Sequence, residues 1–363
     1  MKKNNQILVL NSGSTSLKYK LFDFDLRELQ DGFVEDIGSG KVKNHTQALQ
    51  NTLEEIGNTE NIKYVGHRVV HGGDQFYRSI IVGEEDLNEI EKINHLAPLH
   101  NPANLEGIRA SINLINGAKN VAVFDTAFYQ DLPEHAYLYA IPKEFYQKYG
   151  IRRYGFHGTS HKYVMLEAAK KLGKSANKLN LITCHLGGGA SITAIKKGKA
   201  IDTSMGFTPM EGIPMESRCG DLDSGIILEI LRNKKIELSN DKKNRIEAVD
   251  YLLNKQSGLV GLAGKKAKNI YEIAHLAEEG DEEMMNILKL YSYKIKKYIG
   301  AYKAVLGDVD AVVFTGTVGY RSVIIRKLVL ADFKDLKGIK KLIIQTNEEL
   351  MIAKEIIQLI TIK

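Results

Sequence analysis

The chain has 363 residues, and its 44% hydrophobic and 26% charged fractions are ordinary for a soluble globular protein of about two domains. The formal net charge is +6, but the 50 Lys and Arg residues are spread along the chain beside 44 Asp and Glu residues. This balance argues against a nucleic-acid-binding protein and is compatible with small anionic substrates.

The N-terminal sequence MKKNNQILVL contains an apolar run of only four residues. Such a run is too short for the hydrophobic region of a secretory signal, and no later run reaches membrane-spanning length. Cys184 and Cys219 stand apart from each other and from any CxxC pattern or Cys/His cluster. We therefore expect a cytoplasmic protein without a membrane partner, whose two thiols are buried rather than joined in a disulfide or bound to zinc.

The opening stretch ILVLNSGSTSLKYKLFDF, residues 7–24, predicts a strand, a hydroxyl-rich turn and a second strand in which apolar residues alternate with lysines. Further strands are predicted at residues 63–70, 121–126, 179–184 and 311–315. Helical patterns lie between or after them: the i, i+3 series Leu87, Ile90, Ile93 and Leu96, residues 284–306 after a break at Gly280 and Asp281, and residues 350–362. This alternation predicts an α/β architecture.

The stretch LITCHLGGGASITAIKKGKAIDTS, residues 181–204, repeats the plan of the opening stretch, with a further turn at Lys197 and Gly198. In both stretches a small-residue turn returns to a strand instead of entering a helix, and no GxxxxGK[ST] pattern of a P-loop is present. Gly13 and residues 187–189 allow an anion to approach backbone N–H groups closely, so both turns are candidate phosphate sites. The alternative is that both are only tight hairpins. Two such units would suit a pseudo-duplicated kinase with a nucleotide between its halves.

Eight motifs occur in order from the first strand to the last helix. They are NSGSTSLKY (11–19), GHRVVHGG (66–73), LAPLHNP (96–102), VFDTAF (123–128), YGFHGTSHKYV (154–164), MGFTPMEG (205–212), SRCGDLD (217–223) and TNEELMIA (346–353). With this set the chain resembles the acetate kinases of the acetate/propionate/butyrate kinase family. The resemblance implies the sugar kinase/Hsp70/actin (ribonuclease H-like) superfold, in which two similar α/β domains enclose an active-site cleft. We expect an N-terminal domain of residues 1–126 that the C-terminal helix, residues 350–363, rejoins, and a nucleotide-binding domain of residues 127–349.

The resemblance implies four catalytic residues. Arg68 and Arg218 match the two active-site arginines, whose planar, permanent charges suit a carboxylate and a transferring phosphoryl group. Asp125 matches the catalytic aspartate, which would orient Arg68 or acetate or lie near the metal; a helix N-cap is the alternative role for an Asp after a strand. His157 matches the histidine that stabilises the phosphoryl group. His161 is expected to be a hydrogen-bonding histidine rather than a metal ligand.

The acyl-binding side is also implied by matched residues. Val70, Leu99 and Pro209 would form the small apolar pocket for the methyl group of acetate, and the valine favours acetate over propionate. His100 and His185 match other histidines of the cleft. From the residues alone, a structural role is equally compatible with each of these two histidines.

The donor side is implied in the same way. The phosphate- and nucleotide-binding residues would be Asn11, Ser14, Ser16, Lys18, His185, Gly187, Gly188, Gly189, Thr317, Val318 and Gly319. A Mg²⁺ ion, with Mn²⁺ as a substitute, would be contacted by Asn11 and Glu348 directly or through water.

Three departures from the family pattern lie on the nucleotide side. Gly188 in HLGGG stands where the family has HLGNG, and FTGTVGYRS (314–322) stands where the family has approximately FTAGIGENS. Thr317 thereby replaces a glycine close to the nucleotide, and Tyr320 with Arg321 replaces Glu–Asn. In residues 257–273, Lys and Ile stand near the positions of an Asp and an Arg that line the adenine site. The segment between residues 322 and 346 is also shorter than in the family.

The activity implied by the resemblance is reversible, Mg²⁺-dependent phosphoryl transfer between ATP and acetate, giving acetyl phosphate and ADP, by a homodimer. The altered donor side leaves two alternatives open. One is an acetate kinase that uses another donor, such as pyrophosphate or another nucleotide. The other is a non-catalytic homologue that binds acyl phosphate or nucleotide, although a binding protein would not need all four matched catalytic residues.

Overall fold

Two β-sheets with helices packed against them carry the residues of the predicted cleft. The computed structural model describes residues 5–98, 100–238, 242–331 and 333–361. The strands are β1 Gln6–Ser12, β2 Leu17–Asp23, β3 Glu28–Val34, β4 Ile62–Val69, β5 Ile80–Ile81, β6 Lys119–Phe124, β7 Asn180–Leu186, β8 Ala190–Lys196, β9 Lys199–Thr203, β10 Ala311–Thr315 and β11 Lys340–Ile343.

The helices lie between these strands and after the last of them. They are α1 His45–Ile56, α2 Glu84–Lys92, α3 Asn101–Leu114, α4 Glu134–Tyr137, α5 Glu144–Tyr149, α6 Gly158–Leu172, α7 Ser224–Arg232, α8 Arg245–Lys255, α9 Gly258–Ala263, α10 Ile270–Glu278, α11 Glu282–Leu306, α12 Gly316–Arg321, α13 Val323–Leu330 and α14 Glu348–Thr361. Short 3₁₀ turns are present at Asn94–Leu96, Asp125–Tyr129, Ala176–Lys178 and Lys334–Leu336.

The two sheets share one strand order over five strands, and β5 is an additional edge strand of the first sheet. The first sheet runs β3-β2-β1-β4-β6-β5, and the second runs β9-β8-β7-β10-β11. In each sheet three antiparallel strands form a meander, and the next strand pairs in parallel with the first strand of that meander. The shared order confirms both the α/β class and the internal repeat that the two glycine-containing turns suggested.

The burial of β1 explains its uninterrupted apolar sequence. Leu8 and Leu10 pack with helices α1 and α3, whereas Ile7 and Val9 pack with helix α14. A strand that is covered on both faces needs apolar residues at every position. Strand β2 alternates instead, with Tyr19 buried and its neighbouring lysines half-buried, and its antiparallel pairing with β1 confirms the predicted hairpin.

Helix α14 packs on the first sheet although it follows the last strand of the second. Its residues Ile352, Ala353 and Ile356 share one apolar cluster with Val121 and Val123 of β6. The chain therefore crosses twice between the two halves. The predicted domain limits, residues 1–126 with 350–363 and residues 127–349, stay a prediction.

Most of the predicted elements are present with small shifts of their ends. The strand predicted at residues 311–315 coincides with β10, and the long helix α11 begins after Asp281, whose side chain accepts hydrogen bonds from the Glu283 and Met284 amides. The two-residue turn at Lys197 and Gly198 joins β8 to β9, and both residues have positive φ, 49° and 82°, as a type I′ hairpin requires.

The i, i+3 series from Leu87 to Leu96 does not form one continuous α-helix. Helix α2 ends at Lys92, and the chain then forms the 3₁₀ turn Asn94–Leu96. Ile93 and Leu96 nevertheless remain buried, because a spacing of three residues matches one turn of a 3₁₀ helix.

The two cysteines are free thiols in different environments. Cys184 is buried in β7, where burial raises the pKa of its thiol, whereas Cys219 is partly exposed. The expectation of two buried thiols is therefore wrong for Cys219. Among the residues that the structure describes, no helix combines the length and apolar character needed to cross a membrane.

Candidate active site

The carboxyl ends of strands from both sheets bring the predicted site residues into one cleft. Asn11 lies near the end of β1, Arg68 near the end of β4, and Asp125 directly after β6. His185 comes from β7 of the second sheet, and Thr317 follows β10. Ligand groups gather at this edge in open α/β sheets, because the strands end there and loops can be placed without disturbing the sheet.

Arg68 and Asp125 form the most buried charged pair of the cleft. Arg68 Nη2 and Nε donate to Asp125 Oδ2 over 2.6 and 3.0 Å, and Thr159 Oγ1 donates to Asp125 Oδ1 over 2.8 Å. Burial opposes the charge of the guanidinium, but the carboxylates of Asp125 and Glu348 outweigh it and raise the pKa of Arg68. Asp125 is only 1% exposed. Its carboxylate contacts these side chains rather than a helix N-terminus, which is the contact that the N-cap alternative requires.

Arg218 lies close to this pair without a carboxylate partner among the described contacts. Its Nη1 donates to the carbonyl oxygen of Pro209 over 3.0 Å and lies 3.7 Å from Met215 Sδ. Burial, and then the positive charge of Arg68, lowers the pKa of Arg218. Two neighbouring positive charges disfavour each other. An anion between the two guanidiniums would therefore stabilise both charges.

His157 reaches the same position from the N-terminus of α6. Its backbone has the left-handed φ of 56°, a conformation that typically costs on the order of 1–3 kcal/mol in a non-glycine residue and is often found at functional sites. Nδ1 lies 3.0 Å from Ser191 Oγ, and the ring stacks on that of His185 with centroids 4.3 Å apart. Burial, followed by the nearby charge of His185, lowers the pKa of His157 well below its usual value, so the imidazole is neutral at neutral pH.

The loop of residues 187–189 faces these side chains. The Gly187 amide donates to the Gly189 carbonyl oxygen over 3.0 Å, which closes the turn. A Cβ atom at residue 189 would lie 3.1 Å from His157 Nε2 and 3.8 Å from Arg218 Nη1. The absence of that Cβ leaves room for a small group that both side chains can contact.

A cavity of about 320 Å³ continues from this loop between the two halves. It is lined by Lys18, His185, Gly187, Gly188, Gly189, Gly316, Thr317, Tyr320, Arg321, Gln345, Thr346, Glu348 and Glu349. Of the predicted donor-side residues, Val318 and Gly319 are buried behind this lining, and the first turn with Ser14 and Ser16 lies outside it. Lys18 Nζ lies 2.9 Å from Glu349 Oε1 in a salt bridge.

Two of the three predicted acyl-pocket residues, Val70 and Pro209, lie within the described part of the chain. Val70 is 8% exposed, and its amide donates to Asn104 Oδ1 over 3.1 Å. Pro209 is half-buried, and Leu99 lies outside the described residues. Burial, followed by the charges of Arg218 and Arg68, lowers the pKa of His100 to about 4. His100 therefore lies close to both arginines as a neutral group.

The oxygen-rich end of the cleft lies beside Arg68. Asn11 Oδ1 accepts a hydrogen bond from Arg68 Nη1 over 3.4 Å. Burial raises the pKa of Glu348, and the carboxylates of Asp125 and Glu349 add to this effect. Carboxylates that disfavour each other's charge are suited to a divalent cation. In the described part of the chain, no three His, Cys, Asp or Glu side chains surround a common metal position.

Several contacting residues were not singled out from the sequence. Thr159 binds Asp125, Ser191 binds His157, Glu349 binds Lys18, and Asn104 Nδ2 donates to the Ser12 carbonyl oxygen over 2.6 Å. Thr159 and Glu349 lie within quoted motifs, so their motif membership was a usable signal. Ser191 lies within the repeated stretch of residues 181–204, where nothing distinguished it from its neighbours, and Asn104 lies outside all of these segments.

The comparisons with known proteins agree over nearly the whole chain. The sequence profile of the acetokinase family matches residues 39–340. The acetate kinase of Halothermothrix orenii is 42% identical over 96% of this chain and 98% of the relative. The acetate kinase of Thermotoga maritima is 44% identical over 96% of this chain and 97% of the relative.

Solved structures give the same result. The acetate kinase of Porphyromonas gingivalis superposes with a TM-score of 0.88 at 36% identity, covering 98% of this chain and 100% of that one. A propionate kinase from Francisella tularensis superposes with a TM-score of 0.89 at 37% identity, covering 97% of this chain and 98% of that one. These similarities confirm the predicted superfold and the predicted resemblance. The chain therefore belongs to the acetokinase family.

Proposed function

We propose that this protein is an acetate kinase, which transfers the γ-phosphoryl group of ATP reversibly to acetate to give acetyl phosphate and ADP. The observation that carries the proposal is the convergence at Gly189 of His157 Nε2 and Arg218 Nη1, beside the buried Arg68–Asp125 pair. This arrangement offers cationic and neutral donors to a carboxylate and a phosphoryl group in one small space.

Acetate binds between the two guanidiniums. Arg68 is held from behind by Asp125, so its remaining donor groups are fixed in direction without the entropy loss of ordering a free side chain. Arg218 is held by the Pro209 carbonyl oxygen. Because each arginine opposes the charge of the other, the carboxylate of acetate relieves a repulsion that exists in the free enzyme.

The phosphoryl group passes through the space beside Gly189. Phosphoryl transfer depends mainly on positioning and on stabilising the charge of the equatorial oxygens. Arg218 supplies a positive charge there, and His157 supplies an N–H donor from a rigid backbone position. Closure of the two halves over the nucleotide would exclude water, which otherwise competes with acetate for the phosphoryl group.

The cofactor is a divalent cation, and we propose Mg²⁺, with Mn²⁺ as a substitute. The residues present fit such an ion, since Asn11 and Glu348 offer amide and carboxylate oxygens, the ligand type that Mg²⁺ prefers. Few protein ligands are needed, because Mg²⁺ usually keeps several waters and binds the phosphates of the substrate. When bound, the ion would neutralise the charge of the donor phosphates.

The acyl pocket favours acetate. Val70 is 8% exposed, and its branched side chain would leave little space for an additional methylene. One methylene in an apolar pocket typically changes the specificity constant by about 10- to 200-fold. We expect kcat/KM for acetate to exceed that for propionate within this range.

The test is acetyl phosphate formation, trapped as the hydroxamate, from acetate and Mg²⁺ with ATP, GTP and pyrophosphate in parallel. Turnover with ATP supports the proposal. Turnover only with pyrophosphate would show that the altered loop 314–322 has closed the base site. Absence of turnover with all three donors would contradict the proposal and favour a binding protein.

Three further properties belong to the same proposal. We place the protein in the cytoplasm, in keeping with its two free cysteines. We propose a homodimer, which light scattering can test. Exposed apolar side chains support it, because Ile141, Phe145 and Tyr149 are 47%, 38% and 63% exposed within one short segment. The domain limits given above complete the proposal.

A further inference from the structure

Three buried polar side chains connect His157 to the interior of the second sheet. Thr183 of β7 and Ser191 of β8 are fully buried, as is His161 of α6. Thr183 Oγ1 lies 2.7 Å from His161 Nδ1, His161 Nε2 lies 2.8 Å from Ser191 Oγ, and Ser191 Oγ lies 3.0 Å from His157 Nδ1. Each distance is within the normal range of a hydrogen bond, so the four side chains form one continuous row.

We propose that this row fixes the tautomer of a neutral His157, so that its Nε2 carries the proton and donates it as a hydrogen bond to the transferring phosphoryl group. Thr183, His161 and Ser191 are then positioning residues, which act through His157 and do not touch the substrate. The chemical role of the Nε2–H group rests on the phosphoryl transfer proposed above, whereas the tautomer follows from the hydrogen bonds alone.

The direction of the row is set at its inner end. The Thr183 hydroxyl has two candidate acceptors among the described contacts: His161 Nδ1 at 2.7 Å and the Thr193 carbonyl oxygen at 3.5 Å. The longer distance lies outside the normal range for an O–H···O bond, so the hydroxyl donates to His161 Nδ1. A neutral imidazole has one donor and one acceptor nitrogen. His161 therefore carries its proton on Nε2.

The remaining protons follow from this assignment. His161 Nε2–H donates to Ser191 Oγ, and the Ser191 hydroxyl proton then has His157 Nδ1 as its acceptor. Because His157 Nδ1 accepts this bond, the proton of the neutral ring is on Nε2. A charged His157 would instead donate from Nδ1, which would leave Ser191 with two donors facing it and its own proton without an acceptor in the described contacts. The row therefore opposes protonation of His157.

The surroundings of His157 and His161 support a neutral imidazole whose Nε2–H group is the hydrogen-bond donor at His157. Burial, followed by the nearby charge of His185, lowers the pKa of both His157 and His161 well below the usual value. The Nε2 atom faces the space beside Gly189, which Arg218 Nη1 also approaches. A neutral N–H group stabilises developing negative charge there without adding a third positive charge to two arginines. The opposite tautomer would point a lone pair at the phosphoryl oxygens.

The direct test is nuclear magnetic resonance of the full chain with ¹⁵N-labelled histidine at neutral pH, without substrates. The His157 signals are identified by their absence in His157→Gln. We expect an unprotonated Nδ1 and a protonated Nε2. A protonated Nδ1, or an imidazolium with both nitrogens protonated, would overturn the proposal. This measurement does not require the protein to have any kinase activity, so its outcome is independent of the proposed function.

A matched pair of variants tests whether the row is the cause. Thr183→Val removes the first donor at nearly constant volume, and Thr183→Ser retains it. We expect the valine variant to show a mixture of His157 tautomers and a kcat lowered about tenfold or more, since a single catalytic hydrogen bond is typically worth about a hundredfold or more. The acetate KM should change little, and the serine variant should restore both the tautomer and kcat. A valine variant with the wild-type tautomer would contradict the relay.

Discussion

The charge of Asp125 should contribute both to stability and to catalysis, and Asp125→Asn separates that charge from the shape of the side chain. The asparagine oxygen can still accept the two hydrogen bonds from Arg68, and its amide can donate to the Thr159 hydroxyl. The network therefore keeps its connections. What is lost is the negative charge opposite a buried guanidinium.

The magnitude follows from the lost counter-charge, because Arg68 keeps its own charge and can keep both hydrogen bonds after the substitution. Leaving one partner of a buried ion pair without its counter-charge is strongly destabilising, and the two retained bonds to the charged guanidinium reduce this cost. We expect the free energy of unfolding to fall by about 2–3 kcal/mol. Glu348 and Glu349 also interact with the Arg68 charge, so this loss stays below the roughly 3–5 kcal/mol typical of a broken buried ion pair. Because Arg68 is held less firmly, we also expect kcat to fall by about a hundredfold.

Urea unfolding followed by circular dichroism measures the first effect, and the hydroxamate assay measures the second. The matched control is Asp131→Asn, since Asp131 forms an exposed pair with Lys199 at 3.0 Å. That change should cost less than about 1 kcal/mol and leave activity intact. If Asp125→Asn behaves like this control in both assays, the charge of Asp125 contributes neither to stability nor to catalysis.

Three further changes have separate expected results. Arg218→Ala should lower kcat by about a hundredfold or more while raising the acetate KM much less; steady-state kinetics checks this, and a near wild-type kcat would remove Arg218 from the mechanism. Burial lowers the pKa of His67 from 6.5 to about 4, so the unfolded chain takes up a proton in that pH window that the folded chain cannot, and stability is lost as the pH falls below 6.5. His67→Gln should reduce this loss by about 1.4 kcal/mol per pH unit, measured by urea unfolding across the window. Thr317→Gly removes a side chain that lines the donor cavity and should lower the KM for ATP but not that for acetate; an unchanged ATP KM would place Thr317 outside the donor site.

The sequence predicted the framework well because local patterns determine it. The alternation of Leu17, Tyr19 and Leu21 identifies a strand with one buried face, and the small-residue turns identify where both meanders begin. The resemblance then brought together Arg68 and Asp125, which are distant in sequence and form a direct ion pair. The motifs of these two residues carry this information because they lie at the ends of the neighbouring parallel strands β4 and β6.

Residues that act through other side chains were harder to predict. Ser191 looks like an ordinary small residue of an apolar strand, and its importance depends on two histidines that α6 places beside it. Asn104 lies in the first turn of α3, and its side-chain amide binds the backbone of both Ser12 and Val70. Periodicity reports which face of an element is buried, but not which distant polar group that face meets.

The departures from the family pattern lie on the nucleotide side of the cleft and not on the acyl side, and this distribution has a physical reason. On the proposed acyl side, the charged groups would act on the atoms that react, so a change in Arg68 or Asp125 would change the barrier directly. On the proposed donor side, phosphates would be met largely by the glycine loop, whose backbone groups do not depend on side-chain identity. Thr317, Tyr320 and Arg321 line the cavity, where they would contribute binding energy that other contacts can replace. We therefore expect substitutions to be tolerated where binding energy is distributed over several groups, and to abolish activity where a single charge must occupy one position.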